Sequence, residues 1–301
     1  MPNDHQANFF RLLHHTDEKN VTLALEMAKG IPAFRAIVQD YLAVYQSGFD
    51  AQAHHLTADQ IIQLNQPEIK IETTQKVTLP AGIRQLTSME ALHFTDCELA
   101  LLPIELGELP RLRALTFSNN QLTQLPIALS KFPGIHQLFI AYNDALPFET
   151  ILEQTPHLTL LSLAHMRYRQ IPSNLDNLKH LTSLGLHNNF LTQLPPSIGH
   201  LKNLKSLLVS RNHITQLPAF IGHLTQLNDL TLAHNLLTEL PDDLARLQRL
   251  TQLDLSHNQF QTLPPVLKFL PRLQVVYLTN NPMPVSEKKK LREWLPNCRT
   301  F

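Results

Sequence analysis

Apolar side chains return every 23 residues from Gln66 to the C-terminal end of the chain. Met89, Leu112, Ile135, Leu158, Leu181, Leu204, Leu227, Leu250 and Leu273 occupy one position of this repeat. Within a unit the order is L-x-x-L-x-L-x-x-N-x-L-x-x-L-P, as in Leu181, Leu184, Leu186, Asn189, Leu191, Leu194 and Pro195. Leu184 and Leu186 alternate like an inward-facing strand, and Leu194, Ile198 and Leu201 return apolar groups to the core from the other side. A unit this short cannot bury its own apolar face, so the period predicts stacked coils. Asn189 falls where the chain turns off the strand, and its amide can donate to and accept from backbone groups that the turn leaves without partners. Pro195, Pro218, Pro241 and Pro264 disfavour a long helix after it. Short helical turns and extended segments are predicted on that outer side, with a parallel sheet lining a concave side.

The first 65 residues follow a different period. Phe34, Ile37, Val38, Tyr41, Leu42 and Tyr45 recur at helical spacing, with Pro32 in the first turn and Gly48 at the end. Asn20 is positioned to cap a preceding helix carrying Val21, Leu25 and Ala28 and closed by Gly30, and Phe9, Phe10, Leu12 and Leu13 predict another before it. Thr57 with Gln60 forms a capping-box pattern ahead of Ile61, Ile62 and Leu64. The bundle over residues 1–65 reads as an N-terminal cap, or as a separate partner-binding module. Carrying the phase back from Met89 makes Ile69, Ile71, Leu79 and Pro80 a degenerate first coil, with Thr74 in place of Asn. The array of about ten coils then spans residues 66–284. Ser286 is positioned to cap a final helix with Leu291, Trp294 and Leu295 on one face, and residues 285–301 read as a C-terminal cap whose solvated side holds Lys288, Lys289 and Lys290.

The pattern breaks in two kinds of place. Cys97 stands where Asn is expected and reads as a buried structural thiol. Met166 also replaces Asn, yet a thioether cannot donate a hydrogen bond. Leu146-Pro147 arrives two residues early, Phe148 takes the place of the usual Leu, and Thr155 occupies an apolar position. Residues 143–168 are therefore an irregular centre, either a tolerated degenerate coil or a rim reshaped for binding.

In phase and specificity these units resemble the leucine-rich repeat, in its 23-residue cytosolic form. The resemblance covers roughly residues 66–284. It implies an α/β, right-handed solenoid with a concave parallel β-sheet, an N-terminal helical cap and a C-terminal cap helix. It implies a non-catalytic module that recognises a partner protein on the concave face and adjoining loops, and it carries over no catalytic residue.

Inward positions are fixed by packing, so the free outward ones are the candidate contact surface. The position before each Asn-type site gives Tyr142, His165, Asn188, Arg211, His234, His257 and Asn280, read as neighbours on parallel strands. Nearby free positions add Phe139, Arg167, Tyr168, His187, Phe190, Leu208, His213, Asp229, Asp254 and Tyr277. Aromatic residues and Arg are the types enriched at interface hot spots. The candidate partner-binding set is Phe139, Tyr142, His165, Arg167, Tyr168, His187, Phe190, Arg211, His213, His234 and His257.

Composition narrows the classes. Lys+Arg and Asp+Glu are both 25, so no net field favours nucleic acid or an anionic membrane. No stretch approaches a membrane span, and the first residues lack a basic segment followed by an apolar run, so a cytoplasmic location is expected. Cys97 and Cys298 are predicted too far apart to pair, which fits a reducing compartment. P-loop, G-x-S-x-G and G-x-G-x-x-G motifs are absent, as are C-x-x-C and H-E-x-x-H. No enzyme, cofactor or metal site is expected. His234 and His257, adjacent in the register with Asp254 nearby, suggest a response to pH instead. An exported or surface-exposed adhesin or effector is the alternative reading.

Overall fold

The computed structural model describes residues 2–99, 101–126 and 129–301, and the side chains of all of these but Pro2, Asn3, Val285 and Lys288. The Lys288 side chain assigned to the solvated face of the last helix thus lies outside the described residues. The chain divides into two compact units, residues 1–135 and 136–301.

The first unit opens with α1 (Pro2–Leu13), α2 (Glu18–Gly30), α3 (Pro32–Gly48) and α4 (Ala58–Leu64). Their apolar stripes meet in a core of Phe9, Leu13, Val21, Phe34, Tyr41 and Ile61, with the Phe9 and Phe34 rings stacked 4.1 Å apart. The Thr57 and Gln60 capping box forms as expected at α4. The α2 cap is Asp17 rather than Asn20. Asp17 sits in extended conformation with its carboxylate accepting from the Lys19 N–H, which starts the helix before Asn20 is reached. Tyr41 joins the helices to the first coil. Its fully buried hydroxyl donates to Asn65 Oδ1 at 2.9 Å, lies 3.0 Å from His14 Nε2 and reaches the Gln85 carbonyl at 3.3 Å. Burial pushes its pKa well up, so it stays a neutral hydrogen-bonding group.

The coils of this unit supply β1 (Glu68–Glu72), β2 (Lys76–Val77), β3 (Ala91–Thr95), β4 (Glu98–Leu99) and β5 (Ala114–Ser118). β1, β3 and β5 pair in parallel, Ile69 opposite Leu92 and Leu92 opposite Leu115. Ile69, Ile71 and Leu79 are buried, so the degenerate first coil packs like the others. The β2 and β4 pair forms a separate two-stranded ribbon.

The second unit comprises β6 (Gln137–Ala141), α5 (Phe148–Gln154), β7 (Leu160–Ala164), β8 (Ser183–Gly185), β9 (Ser206–Leu208), β10 (Asp229–Thr231), β11 (Gln252–Asp254), β12 (Val275–Tyr277), α6 (Val285–Trp294) and β13 (Arg299–Thr300). β6 to β12 pair in parallel at a constant offset, as Leu184 with Leu207 and Leu230 with Leu253 show. Pro195, Pro218, Pro241 and Pro264 each precede a single 3-10 turn, the short outer element the Pro pattern predicts. The irregular coil instead carries the true helix α5. Thr155 is buried there with its hydroxyl donating to the Ile151 carbonyl at 2.7 Å, which accounts for a polar residue at an apolar position.

The final helix begins at Val285 behind Pro284, not at Ser286, and has no side-chain cap. Glu287 turns away to accept from the Leu263 N–H at 3.1 Å. Leu291 is buried, Trp294 receives Lys268 Nζ over its ring at 4.2 Å, and Lys289 and Lys290 are exposed. β13 then pairs with β12, and the Leu278 N–H donates to the Phe301 carbonyl.

One side chain sets the coil-to-coil register in both units. Asn212 accepts from the Leu191 N–H at 3.0 Å and donates to the carbonyls of Leu186 at 3.0 Å and Val209 at 2.9 Å. Asn235 and Asn258 repeat this set one and two coils on. In the first unit Asn120 bonds the Cys97 N–H and the Phe94 carbonyl. Cys97 is the buried structural thiol expected. Its Sγ lies 3.5 Å from the Ile71 carbonyl and 3.2 Å from that of Thr95, the same relative positions that the Asn120 amide serves. Asn212→Ala should therefore lose about 1–3 kcal/mol of stability or more, since several buried backbone groups lose their partner, and Ser210→Ala should lose far less. Urea titrations of the two variants check the difference; equal losses would contradict the assigned register.

Candidate functional site

The candidate row is built by the backbone before any side chain enters. In the second unit Tyr142, His165, Asn188, Arg211, His234, His257 and Asn280 all have positive φ, between 53° and 57°. They are not strand residues, as the outward-facing reading had them, but single left-handed turns just beyond the strand ends. The turn swings the next residue, normally Asn, into the core. Its N–H is held by the following coil: Arg211 donates to the Ala233 carbonyl at 2.8 Å and His234 to Ser256 at 2.9 Å. The conformation is thus over-determined by its surroundings. Asn, Asp and His tolerate it better than other non-glycine residues. That backbone preference explains the His and Asn of the row without any ligand. Tyr142 and Arg211 have no such explanation. Neither does Arg167, a second left-handed residue (φ 55°) in the irregular coil.

The side chains of the row stack along one edge of the sheet. Tyr142 is 52% exposed and lies flat on His165, with ring centres 4.3 Å apart. His165 meets His187 edge to face at 6.2 Å. His234 and His257, the pair expected to be adjacent, stack at 3.8 Å, and His257 Nε2 lies 2.9 Å from Asn280 Nδ2. Burial first, then His257 and Arg211, lower the His234 pKa against an opposing pull from Asp254. Burial and then His165 lower that of His187. On the sheet face, burial and Asp254 push the Asp229 carboxyl up against the hydrogen bond from Ser206.

Other candidates differ in how free they are. Phe139 is half-buried on β6. Arg167 is exposed and pairs with Asp144 at 3.2 Å. The Tyr168 hydroxyl donates to the Leu146 carbonyl at 2.8 Å and its ring leans on Phe148, so it braces the irregular coil from within. The Tyr168 and Met166 N–H groups share Asn189 Oδ1, which holds the coil where Met166 lacks a donor. Tyr277 stacks on Phe301. Phe190 is 41% exposed, and its ring runs parallel to His213 at 5.7 Å. These two rings line a groove of about 460 Å³ with Arg169, Gln170 and Thr192. Sequence reasoning did not single out those last three. The Arg167-Tyr168-Arg169 run was the available signal, but Arg169 lies outside the strand and row positions that the register marks as free.

Among the described residues no group of three or more His, Cys, Asp or Glu could hold a metal ion, and no helix is long and apolar enough to cross a membrane. The arrangement offers stacking surfaces and guanidinium donors, which suit recognition.

Residues 149–235 match a family model described as a leucine-rich repeat region, and residues 225–283 match one described as a leucine rich repeat. No curated protein matches the chain by sequence. Among solved structures the chain is similar to an internalin from Listeria monocytogenes, at 19% identity and a TM-score of 0.53, over 88% of this chain and 87% of that one. It is also similar to a chain of the Toll–Spätzle complex of Drosophila, at 22% identity and a TM-score of 0.59, over 76% of this chain and 35% of that one. A leucine-rich repeat protein of Leptospira interrogans aligns at 22% identity over 80% of this chain and 91% of that one, with a TM-score of 0.31. The likenesses to the internalin and to the chain of the Toll–Spätzle complex concern the fold.

The left-handed row yields a stability test. Arg211→Asn should stabilise by about 0.5–1 kcal/mol, because Asn adopts this backbone more easily and Arg211 has no ion pair among the described residues to lose. Tyr142→Asn should gain less, since the stack on His165 goes with it. Denaturant midpoints measure both; a loss at Arg211 would show that its side chain supports the fold.

The imidazoles yield a second test. His187 and His234 have pKa values lowered from 6.5 in the folded chain. The unfolded chain therefore binds protons first on acidification. Their contribution to stability is complete above 6.5 and declines as pH falls through the ordinary imidazole range. Melting temperature should drop as pH falls below about 6.5, and His187→Gln with His234→Gln should flatten that drop. An unchanged slope in the double variant would refute the assignment.

Proposed function

This chain is a leucine-rich repeat protein, and from that premise we propose that it is a non-catalytic interaction module that binds a partner protein on the exposed sheet edge and adjoining loops of residues 136–301. The observation that carries the reading is the identity of the exceptions among the left-handed residues of the second unit. Tyr142, Arg167 and Arg211 hold a backbone conformation that Asn or Gly would hold at lower cost, and all three are exposed. Tyr and Arg are the side chains that dominate interface energetics, and strain retained at exposed positions points to use of those side chains. The contact set is Phe139, Tyr142, His165, Arg167, His187, Phe190, Arg211, His213, His234 and His257, with Tyr168 supporting it from beneath.

In this reading residues 1–65 and 285–301 act as caps on the array of residues 66–284. No catalytic residue and no cofactor is assigned, and the partner is neither nucleic acid nor membrane. Cys97 and Cys298 are both free thiols, which supports a reducing, cytoplasmic setting over export as an adhesin or effector.

The experiment is affinity capture from native lysate with the wild-type chain and with a variant carrying Tyr142→Asn, Arg167→Asn and Arg211→Asn. Those substitutions suit the backbone, so the variant should melt no lower than wild type. It should nonetheless lose capture of the partner by tenfold or more, the effect of removing interface hot spots of about 2 kcal/mol. Capture of the same protein in equal amount by the variant would overturn the reading.

A further inference from the structure

The groove beside the row has a chemistry of its own. It is lined by the parallel pair Phe190 and His213 and by Arg169, Gln170 and Thr192. No carboxylate lines it. Arg169 is exposed and, among the described residues, takes part in no ion pair or hydrogen bond; Arg211, two residues before His213, is likewise without an ion pair. Asp144, on a neighbouring coil, is already taken by Arg167. Lys+Arg and Asp+Glu balance at 25 each over the whole chain, so this is a local excess of positive charge on a neutral protein. A second hollow of about 260 Å³ shares Thr192 and is lined by the polar, uncharged Gln193, Thr215 and Gln216 together with Leu194, Leu217 and Pro218.

From these features we infer that the groove takes an extended segment of a partner protein in which carboxylates flank an aromatic ring. The inference rests on the proposal that this edge is a docking surface and specifies the partner's chemistry. A free guanidinium presents parallel N–H donors to a carboxylate, a stronger and more directional contact than a lone ammonium makes. The flat Phe190 and His213 pair offers a face to an incoming ring. Gln170, Thr192 and the polar side chains of the second hollow supply donors and acceptors for a peptide backbone that runs past the ring site. A volume of about 460 Å³ suits one or two side chains. Single-stranded RNA also combines rings with negative charge. Its affinity comes from many phosphate contacts, however, and two unpaired guanidiniums on a neutral chain do not supply them.

The test uses the full chain and fluorescence anisotropy with a labelled Glu-Glu-Tyr-Glu-Glu peptide. Two further peptides, with Ala for Tyr and with Lys for Glu, and a labelled oligouridylate serve as comparisons. The acidic tyrosine peptide should bind, weakening by about tenfold in Arg169→Gln and by about fivefold in Phe190→Ala. The Ala peptide should bind several-fold more weakly, and the Lys peptide and the oligouridylate not measurably. Equal binding of acidic and basic peptides, tighter binding of the oligouridylate, or indifference to Arg169→Gln would each overturn the inference. Arg169 and Phe190 lie outside the triple Asn variant, so the two proposals fail separately. Loss of partner capture in that variant with no peptide binding sinks the acidic segment and leaves the docking edge standing. Peptide binding lost in Arg169→Gln with capture intact in the triple variant does the reverse.

Discussion

Every coil in this protein must turn off its strand without leaving backbone groups unpaired, and one primary amide per coil solves that problem. In Asn212, Asn235 and Asn258 the Oδ1 accepts from an N–H 21 residues earlier and the Nδ2 donates to a carbonyl 26 residues earlier. Bonds of fixed span cannot tolerate a coil of the wrong length, since one slipped residue would orphan buried polar groups on both sides. The 23-residue period, the constant strand register and the burial of the leucines all follow from that requirement. Where the amide is replaced, the structure compensates by different means. The Cys97 thiol reaches the equivalent carbonyls, and around Met166 the Asn189 oxygen takes two N–H groups instead of one.

The same requirement creates the surface that carries the proposed function. To swing an Asn inward, the residue before it must take a left-handed turn, and its side chain is then directed to the exposed edge of the sheet. Successive coils place these side chains close enough to stack, as His234 and His257 do at 3.8 Å. A structural constraint thereby produces a regular display of side chains whose identities are limited only by tolerance of positive φ. His, Asn and Asp at such positions record the backbone. Tyr142, Arg167 and Arg211 go against its preference, and for that reason they carry information about binding.

Charge and aromaticity are then distributed unevenly on a chain with no net charge. The coils before and after the one bearing Phe190 expose Arg169 and Arg211, which have no ion pair among the described residues, whereas β10 and β11 carry Asp229 and Asp254 on the sheet face. His187 and His234 are held toward the neutral form by burial and by a neighbouring imidazole, so acidification works against their packing.

The repeat, its strands, the Asn ladder, the buried role of Cys97 and the helical N-terminus were legible in the sequence, because each rests on a local pattern: spacing, capping chemistry or hydrogen-bonding capacity. The capping box at Thr57 is as local as a signal can be, and it forms. Caps that depend on neighbouring geometry were not legible in this way. Asp17 displaces Asn20, and Pro284 rather than Ser286 stands before the last helix, with no side-chain cap. The row before each Asn was visible as a set of positions, but not its backbone conformation, since φ at these residues is imposed by hydrogen bonds from the next coil. Only the tertiary structure decided that Tyr168 braces the irregular coil through the Leu146 carbonyl, and that Arg169 shares a groove with Phe190 and His213. Spacing along the chain records which residues recur; which side chains meet across coils is set by packing that no single repeat contains.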